Sequence, residues 1–530
     1  MARTAAGKVH AFGNVPRVDI PRSTFNRSHR HLTTFDCDYL VPILVDEVLP
    51  GDSYRVNCHF FARLATPLFP IMDNLYLDTF FFFVPYRLLW TNWEKFCGAQ
   101  DDPGDSISYT VPVVSSSGTI AAGDLADYMG WPIGLAGNDA DISMSALPFR
   151  AYWQIINEWF RNQNLTDSFD TPVDDGPDSS AESGFDSVPR KRNKRHDYLT
   201  SCLPWPQKQT TAVEVPIGGL TDVRTASAAG AVVGIYSTDD SDHHALDADL
   251  STVDVSAQVG ANPEAGKMFV DLSTTTSAVD INQLRLAFQT QRLLERDARS
   301  GTRYVETILA HYGVTVPDFR AQRPEFLGGG SSPVNITPVA QTTYQGTPTD
   351  EDTKGALAGF GTVSGSHGFT KSFVEHGIII GLANARGDIT YSQGVERFWR
   401  RSTRYDFYYP VLSQIGEQSV LMSEIFWNAA NPDSVWGYQE RYAEYRYKPS
   451  RLTGLMSVDA ASSLSAWHVS EDFSSEPSLG NAFIQANTAD GLDRAIAVNT
   501  EPHFIGDFYF DMQCARPMPL YGVPGNLDHF

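Results

Sequence analysis

The chain lacks the cysteine pattern of a disulfide-rich or zinc-binding protein. Its five cysteines lie far apart and include no C-x-x-C pair, which argues against both kinds of framework. The longest strongly apolar stretch, Phe80 to Val84, is far shorter than the about 20 residues that cross a bilayer. Met1 to Pro16 contains no apolar segment typical of a signal peptide. We therefore expect a soluble protein that is made in a reducing cytoplasm.

Positive charge is scarce. The 530 residues contain 40 lysines and arginines against 63 aspartates and glutamates, a net charge of −23, which argues against a nucleic-acid-binding protein that uses its whole surface. Cations are nevertheless concentrated in residues 1–35, which hold six bases and one acid. We interpret this stretch as a basic extended arm that lies on another molecule. A solvated, frayed terminus is the alternative.

Enzyme signatures are missing as well. The sequence has no Walker loop, no H-E-x-x-H and no G-x-G-x-x-G after a predicted strand. Gly365 to Gly368 comes nearest to a serine-hydrolase elbow, but the glycine two residues before Ser366 is absent, and we predict a flexible loop there. His243 and His244, flanked by aspartates, would need a turn to share a metal ion. We therefore expect no catalysis, no metal and no cofactor.

Strand patterns dominate what is present. Period-two alternation over residues 54–61 and again over 504–512 predicts half-buried strands near both ends of the chain. The aromatic run Thr79 to Tyr86 suits a strand buried on both faces, and Val374 to Leu382 is a further candidate. The glycine-rich stretch Gly328 to Pro333 is expected to be a loop. Pairing of the strands from the two chain ends would make one sheet system.

Helical patterns are fewer. Apolar residues recur at intervals of three and four from Phe149 to Phe160, from Ile281 to Leu294 and from Tyr304 to Tyr312. Asp280 is suited to cap the second of these helices, and Gly313 to end the third. We expect the apolar stripes of all three helices to be buried.

Three stretches depart from the rest in composition. Residues 167–186 hold seven acids and no base, which indicates a solvated loop. Arg190 to His196 follows with five bases, and three interpretations stay open: a nuclear localisation or nucleic-acid patch, a partner of the acidic loop, or a subunit contact. Residues 210–280 carry eleven acids against two bases and almost no aromatic residues, as expected of an inserted subdomain that protrudes into solvent.

Arginine and aromatic residues are interleaved over residues 397–408 and again over 441–451. Such surfaces hold phosphates and stack on unpaired bases. They equally anchor protein interfaces, and the sequence alone does not separate these two uses.

Several long strings of residues are distinctive enough to compare with known families. They are Ile20–Phe25, Val45–Asp52, Phe81–Leu88, Tyr152–Asn157, Lys194–Tyr198, Cys202–Lys208, Arg299–Tyr304, Gln322–Gly329 and Trp436–Arg446. The strings resemble the major capsid proteins of gokushoviruses, small single-stranded DNA bacteriophages of the microvirus group. The resemblance spans nearly the full chain and is weakest over residues 210–280.

The resemblance implies a mainly β fold, an eight-stranded antiparallel jelly roll of the viral capsid type with long loops and a few helices. It also implies a T=1 icosahedral shell of sixty copies that packages circular single-stranded DNA. The domains would be a basic interior arm over residues 1–35, a jelly-roll core over 36–209 and 281–530, and an acidic protrusion over 210–280 at the threefold axis.

The resemblance further implies partners. Besides the homo-oligomeric shell and the single-stranded DNA genome, these are minor internal DNA-binding and DNA-pilot proteins, an internal scaffolding protein during assembly, and a host surface receptor. The expected locations are the virion and, during assembly, the host cytoplasm.

A shell around a polyanion should keep its cations inside and its acids outside. The residues that we expect to face the nucleic acid are Arg3, Lys8, Arg17, Arg22, Arg27, Arg30, Arg400, Arg401, Arg446 and Lys448. The residues that we expect at the protrusion and its receptor contact are Asp239, Asp240, Asp242, His243 and His244.

Two rival interpretations remain. A β-sandwich that binds or cleaves glycans would need convergent carboxylates in a cleft. A regulatory DNA-binding protein would use the basic run after Arg190, but the acidic composition and the lack of a recognition-helix pattern disfavour it. Only the capsid interpretation predicts closed, uniform particles.

Overall fold

A computed structural model describes residues 21–114, 119–135, 144–208, 281–301, 303–315, 321–342, 355, 357–428 and 430–521, together with four short strands between residues 208 and 281. The strands are β1 (Ser23–Asn26), β2 (His29–Phe35), β3 (Val41–Val48), β4 (Ser53–Leu64), β5 (Leu75–Pro85), β6 (Val223–Thr225), β7 (Gly234–Tyr236), β8 (His243–Ala245), β9 (Met268–Val270), β10 (Glu325–Pro333), β11 (Asn335–Ala340), β12 (Leu357–Ser372), β13 (Gly377–Gly387), β14 (Glu417–Leu421), β15 (Val435–Glu440) and β16 (Phe504–Arg516).

The helices are short except for α6. They are α1 (Tyr86–Leu89), α2 (Trp93–Phe96), α3 (Leu125–Tyr128), α4 (Leu147–Ile155), α5 (Ser180–Ser183), α6 (Ile281–Ser300), α7 (Tyr304–Tyr312), α8 (Asn481–Ile484) and α9 (Thr488–Asp493). A π-helical turn, Ile156–Phe160, continues α4. Short 3₁₀ turns occupy Arg397–Arg400, Arg404–Asp406, Pro410–Gln414, Met422–Glu424, Ala443–Tyr445, Gly454–Met456 and Ser465–Trp467.

Two antiparallel sheets carry the architecture. In one sheet the strand order is β1-β16-β4-β12-β11, with β2 also paired to β16, and in the other it is β10-β5-β13-β3. Strands that follow one another along the chain mostly alternate between the two sheets, as in a jelly roll. The prediction of a mainly β, antiparallel jelly-roll fold is confirmed.

The predicted count of eight strands is not confirmed, because the two sheets contain six and four described strands. β1 and β2 lie end to end along β16, since Ser23–Asn26 pair with residues 513–516 and His29–Phe35 with residues 504–510. β11 is an additional edge strand that pairs with β12. The alternation of polar and apolar residues does not reveal that the first strand is split into β1 and β2, or that β11 is added at the edge. The strand count could therefore not be predicted from that alternation.

The main hydrophobic core lies between the two sheets. Val56 and Phe60 of β4 and Phe504 and Phe508 of β16 are all buried in it. β4 and β16 pair antiparallel, with Phe60 opposite Phe508, so the two ends of the chain share one sheet as predicted. Full burial of a phenylalanine side chain contributes about 1.5–3 kcal/mol, so the buried phenylalanines of β4 and β16 stabilise this pairing.

β5 is buried on both faces, as its aromatic run predicts. Phe81 and Phe83 join the core between the sheets, whereas Phe82 and Val84 join a second core on the other face of the four-stranded sheet. That second core also contains the apolar side of α4. A strand covered on both faces needs no polar alternation.

The glycine-rich stretch that was predicted to be a loop is strand β10. A Cβ at Gly329 would lie 2.1 Å from the carbonyl oxygen of Thr79, and one at Gly330 would lie 2.5 Å from the ring of His367. The glycines therefore mark a close approach of neighbouring strands and layers, which composition does not distinguish from a flexible loop. The other predicted loop, Gly365 to Gly368, is likewise part of a strand, β12.

The three predicted helices exist, but only one buries its apolar stripe. Phe149 and Tyr152 of α4 are fully buried, whereas Tyr304 and Tyr312 of α7 are 80% and 78% exposed and Phe288 of α6 is exposed as well. The expectation of buried stripes was wrong for α6 and α7, because periodicity reveals an apolar helix face but not what covers it.

The chain packs as two compact units. One comprises residues 1–206 and 301–530 and contains both large sheets. The other comprises residues 207–300, of which the structure describes the antiparallel pairs β6–β9 and β7–β8 and helix α6. Asp280, the predicted cap of α6, lies outside the described residues. Of the helices that the structure describes, none is both long and apolar enough to cross a bilayer.

Candidate nucleic-acid interface

The cations predicted at the start of the chain are only partly within the described residues. Arg3, Lys8 and Arg17 lie outside them. Arg22 is described, and its Nη2 donates to the carbonyl oxygen of Gly51 at 2.5 Å. This acceptor is neutral, and Arg22 forms no ion pair with any residue that the structure describes.

Arg27 and Arg30 are neutralised by carboxylates of the same chain. The two terminal nitrogens of Arg27 donate to both carboxylate oxygens of Asp46, at 2.5 and 2.7 Å, and Nη1 also donates to the hydroxyl of Tyr54. Burial lowers the pKa of Arg27, but the hydrogen bonds and charge of Asp46 outweigh burial, so the pKa lies above its ordinary value. Arg30 Nε donates to Asp507 at 2.6 Å.

The four candidates late in the chain are also ion-paired. The pairs are Arg400–Asp433 at 2.6 Å, Arg401–Glu444 at 3.3 Å, Lys448–Glu396 at 3.2 Å, and Arg446–Glu440. Residues 396–451 as a whole contain eight bases and seven acids. This part of the surface is therefore nearly neutral, although it is rich in arginine.

Exposed rings surround these ion pairs. We define the aromatic surface as the exposed side chains of Trp399, Tyr405, Phe407, Tyr408, Tyr445 and Tyr447. Arg401 lies over the ring of Tyr445, 4.2 Å from its centroid. A polyanion gains little from cations that are already paired, whereas rings and arginines with few free charges are typical of protein interfaces. The geometry favours a protein contact over a phosphate contact here.

The basic run Arg190 to His196 is built into the fold rather than displayed as a patch. Arg192 Nη1 donates to Asp78 at 2.6 Å, and Lys194 Nζ lies 2.9 Å from Glu471. Burial lowers the pKa of Arg192 and outweighs the bond to Asp78. Arg195 and His196 are the exposed members of the run.

The acidic loop before this run does not pair with it. Its described ion pairs, from Asp174 and Asp178, are both to Arg150 of α4. Asp175 of the same loop accepts a hydrogen bond from the indole of Trp90 at 2.7 Å. The interpretation that the acidic loop neutralises the basic run was wrong, because the loop folds back onto the second core instead.

The histidines singled out in the sequence have different surroundings. His243 and His244 form β8 with Ala245, and His243 lies opposite Tyr236 of β7. The aspartates expected beside them at the protrusion, Asp239, Asp240 and Asp242, lie outside the described residues.

His367 follows the serine of the elbow-like sequence, and it lies within β12. Its Nδ1 is 2.7 Å from the hydroxyl of Thr79 and its Nε2 is 3.2 Å from that of Ser332. Burial lowers its pKa. Held in this way between two strands of the other sheet, the imidazole has a structural role.

The structure also groups residues that the sequence did not single out together. Trp159 and Arg161 after α4, Phe326 of β10 and exposed Arg195 line one cavity. Trp159 belongs to the helix stripe that was expected to be core. These residues are far apart along the chain, so no sequence pattern joins them. Within each segment the only signal was that aromatic residues and arginines lie close together.

Comparison with known proteins identifies the family. A family model described as "Capsid protein (F protein)" matches residues 13–526. Relatives named "Capsid protein VP1" are 43% identical in Bdellovibrio phage phiMH2K, with 98% of each chain covered, and 40% identical in Chlamydia phage 1, with 97% of each covered. The one of Spiroplasma virus 4 is 34% identical, with 98% of each chain covered. These similarities confirm the resemblance to gokushovirus capsid proteins, and the chain belongs to the phage capsid protein (F protein) family.

Proposed function

We propose that the chain is the structural subunit of a T=1 icosahedral shell that packages circular single-stranded DNA. Its family supports a structural role and assembly as an oligomer in a virion. The observation that carries the finer proposal is the sandwich of two antiparallel sheets. Such a sandwich is a rigid wedge, and the loops at its ends are free to form contacts between copies around closed symmetry axes.

In this proposal the aromatic surface forms a contact between copies of the chain. Its rings are exposed, and Arg400 and Arg401 among them are already neutralised by Asp433 and Glu444. A second copy would bury the rings while Arg400 and Arg401 stay paired with their own carboxylates, which is the favourable case for an interface. Identical copies need only weak individual contacts, because many contacts close at once in a shell.

The interior arm supplies the contacts to DNA in this proposal. Since Arg27 and Arg30 are neutralised by Asp46 and Asp507, the cations of the arm that remain for phosphates lie before β1. They are Arg3, Lys8, Arg17 and Arg22. Contacts of this kind release counterions and need no base sequence, which suits the packaging of a whole genome.

Residues 210–280 form the protrusion at the threefold axis in this proposal, and the protrusion binds a host surface receptor. The acidic composition of the segment and its position within the separate compact unit 207–300 support this assignment. Exchange of residues 210–280 between related phages should change the host range. If the hybrid phage still adsorbs to the host of the phage that supplied the rest of the chain, the assignment is contradicted.

The remaining partners follow from the same proposal. They are minor internal DNA-binding and DNA-pilot proteins and an internal scaffolding protein during assembly in the host cytoplasm. The role of the chain among them is structural rather than catalytic.

The experiment that tests the proposal is expression of the full chain with the phage's own scaffolding protein, followed by electron microscopy and mass measurement. Closed, uniform shells of sixty copies are expected, with nuclease-protected circular single-stranded DNA in particles from infected cells. A chain that stays monomeric in infected bacteria would refute the proposal and favour the glycan-binding alternative.

A further inference from the structure

A cavity of about 450 Å³ opens on the larger of the two units. It lies where the π-helical turn after α4, the beginning of β10 and the basic run after Arg190 meet. This volume is in the range of cavities that hold small organic ligands, roughly 300–1,000 Å³. The cavity is therefore large enough for one nucleotide.

The charge of the cavity is opposite to that of the chain. No aspartate or glutamate is among the described residues that line it, although acids outnumber bases by 63 to 40 in the sequence. Its cations are Arg161, Arg192, Lys194 and Arg195. Arg192 and Lys194 are ion-paired, but Arg161 and Arg195 form no ion pair with any described residue. A local field that attracts anions results.

Two hydrogen-bond donors at the cavity have no acceptor. Nε of Arg161 and Nδ2 of Asn193 are buried, and neither finds a partner among the described residues. Unpaired buried donors are uncommon in folded proteins because they lose their hydration without replacement. These two N–H groups add to the positive potential beside the cavity.

Aromatic side chains form the other part of the wall. Trp159, Phe160 and Phe326 line the cavity, and Trp159 and Phe326 are 41% and 43% exposed. The ring centroids of these two residues are 6.0 Å apart, and Arg323 lies over the ring of Trp159. Rings combined with arginines are the means by which proteins hold unpaired bases without reading their sequence.

We propose that this cavity binds a nucleotide, with the phosphate at Arg161 and Arg195 and the base against Phe326 and Trp159. The inference rests on the proposed function insofar as the nucleotide is a unit of the packaged single strand. The same chemistry would also accept a free nucleotide, and the test distinguishes these two sources. The cavity adds to the interior arm a contact that requires a base as well as a phosphate.

The test compares the full-length protein with four single variants. Arg195→Gln removes an exposed, unpaired cation of the cavity, and Phe326→Leu removes the ring but keeps an apolar side chain. The matched controls are Arg55→Gln and Phe61→Leu, two exposed residues of β4 outside the cavity. Thermal unfolding of each variant checks that the fold is retained.

The first arm measures binding of fluorescent oligothymidylate by anisotropy at one fixed salt concentration. Loss of a charge-assisted contact in Arg195→Gln is expected to weaken binding about tenfold, and loss of stacking in Phe326→Leu about fivefold. Both controls should stay within about twofold of the unchanged protein. Equal losses in cavity and control variants would overturn the proposal.

The second arm uses thymidine 5′-monophosphate and inorganic phosphate in calorimetric titrations. Binding of the monophosphate that depends on both Arg195 and Phe326, together with weaker binding of phosphate, is expected. If the monophosphate binds as tightly as the oligomer, the occupant is a free nucleotide. If the monophosphate binds more weakly than the oligomer, the occupant is a nucleotide of the packaged strand. If inorganic phosphate displaces the oligomer at the same concentration as the monophosphate does, the rings do not contribute to binding, and their proposed role is overturned.

Failure of the proposed function gives a different result. Shells that contain DNA, combined with oligomer binding that is unchanged in Arg195→Gln and Phe326→Leu, would overturn the cavity alone. Absence of shells, with oligomer binding that still depends on the cavity, would overturn the proposed function alone. Photocross-linking of 5-iodouracil oligomers, followed by mass spectrometry, should find the adducts at Trp159, Phe160 or Phe326, and adducts elsewhere only would contradict the proposal.

Discussion

Arg150 and Asp178 form an ion pair that is sealed from solvent. Each side chain is 1% exposed, and Arg150 donates from Nε and Nη2 to the two oxygens of Asp178 at 2.8 and 2.5 Å. Arg150 Nη1 also donates to the carbonyl oxygens of Leu89 and Asp174. A single guanidinium thus joins helix α4, the end of α1 and the acidic loop, so that a segment with the composition of a solvated loop is held against the second core.

Asp178→Asn should therefore destabilise the folded chain strongly. Removal of one partner leaves the other charge buried without compensation, at a cost of about 3–5 kcal/mol. Asp174→Asn is the matched control, because the Asp174 carboxylate is mostly exposed and 3.5 Å from Arg150, and it should cost below about 1 kcal/mol. Denaturant unfolding of the unassembled chain measures both. Similar small losses in the two variants would show that the pair is not sealed in solution.

A second prediction concerns the glycines of β10. Because a Cβ at position 329 would lie 2.1 Å from the carbonyl oxygen of Thr79, Gly329→Ala should separate β10 from β5. We expect a loss of about 3 kcal/mol or more, or failure to fold. Gly104→Ala, where a Cβ meets nothing within 4 Å, should leave the melting temperature almost unchanged. A melting temperature of Gly329→Ala equal to that of Gly104→Ala would contradict the close packing of β10 on β5.

The strands that could be predicted from the sequence are those in which burial follows the side-chain period. β4 and β16 alternate between core and surface, and β5 is apolar on both faces, so their patterns and their burial agree. β10 could not be predicted, because its glycines are required by the close approach of β5, a strand that is far away along the chain. The exposure of the apolar faces of α6 and α7 could not be predicted for a related reason. Whether such a face is buried depends on residues outside the helix.

The site was less predictable than the fold. The charges in the sequence show where the cations lie along the chain, but they do not show which carboxylates neutralise them. Arg27 meets Asp46, and Arg400 meets Asp433, at separations in sequence that no local pattern links. The cavity near Arg195 combines residues from five segments of the chain. Side chains that come together only through tertiary structure carry no shared periodicity, so neither spacing nor composition marks them.

A third prediction concerns pH. His503 lies between two carboxylates, with Nε2 3.1 Å from Asp493 and Nδ1 3.2 Å from Asp36. Burial lowers the pKa of His503, but the hydrogen bonds and charges of both carboxylates outweigh burial and raise it above its ordinary value. A raised pKa in the folded state stabilises the fold below about pH 6.5, and this contribution is lost as the pH rises through the folded pKa.

His503→Gln should therefore destabilise the chain by on the order of 1 kcal/mol at about pH 5.5 and by less at about pH 8. Denaturant unfolding across this pH range measures the difference from the unchanged protein. His59→Gln, at an exposed position of β4, is the control and should show no such trend. A difference for His503→Gln that grows with pH would contradict the sign of the shift.

A fourth prediction concerns the aromatic surface as a contact between copies. Tyr405 is 68% exposed, and Arg441 and Tyr442 bond to its carbonyl oxygen rather than to its ring. Tyr405→Ala should thus leave the stability of the unassembled chain unchanged. Shell formation should require about tenfold more protein, because aromatic residues often dominate interface energies. Sedimentation across a concentration series measures assembly. Tyr509→Ala, at an exposed position of β16, is the comparison, and an equal defect there would count against the assignment.

The last prediction separates DNA retention from shell closure. Since β1 begins at Ser23 and pairs with β16, deletion of residues 1–20 leaves both sheets intact, whereas deletion through residue 35 would remove two strands. Particles without residues 1–20 should close but retain about half of the normal DNA or less, because phosphate contacts scale with the number of free cations. Replacement of Arg3, Lys8 and Arg17 by glutamine in the full-length chain should give the same loss, which excludes an effect of length. Nuclease-protected DNA per particle is the measurement, and truncated particles with a full complement of DNA would show that the arm does not bind the genome.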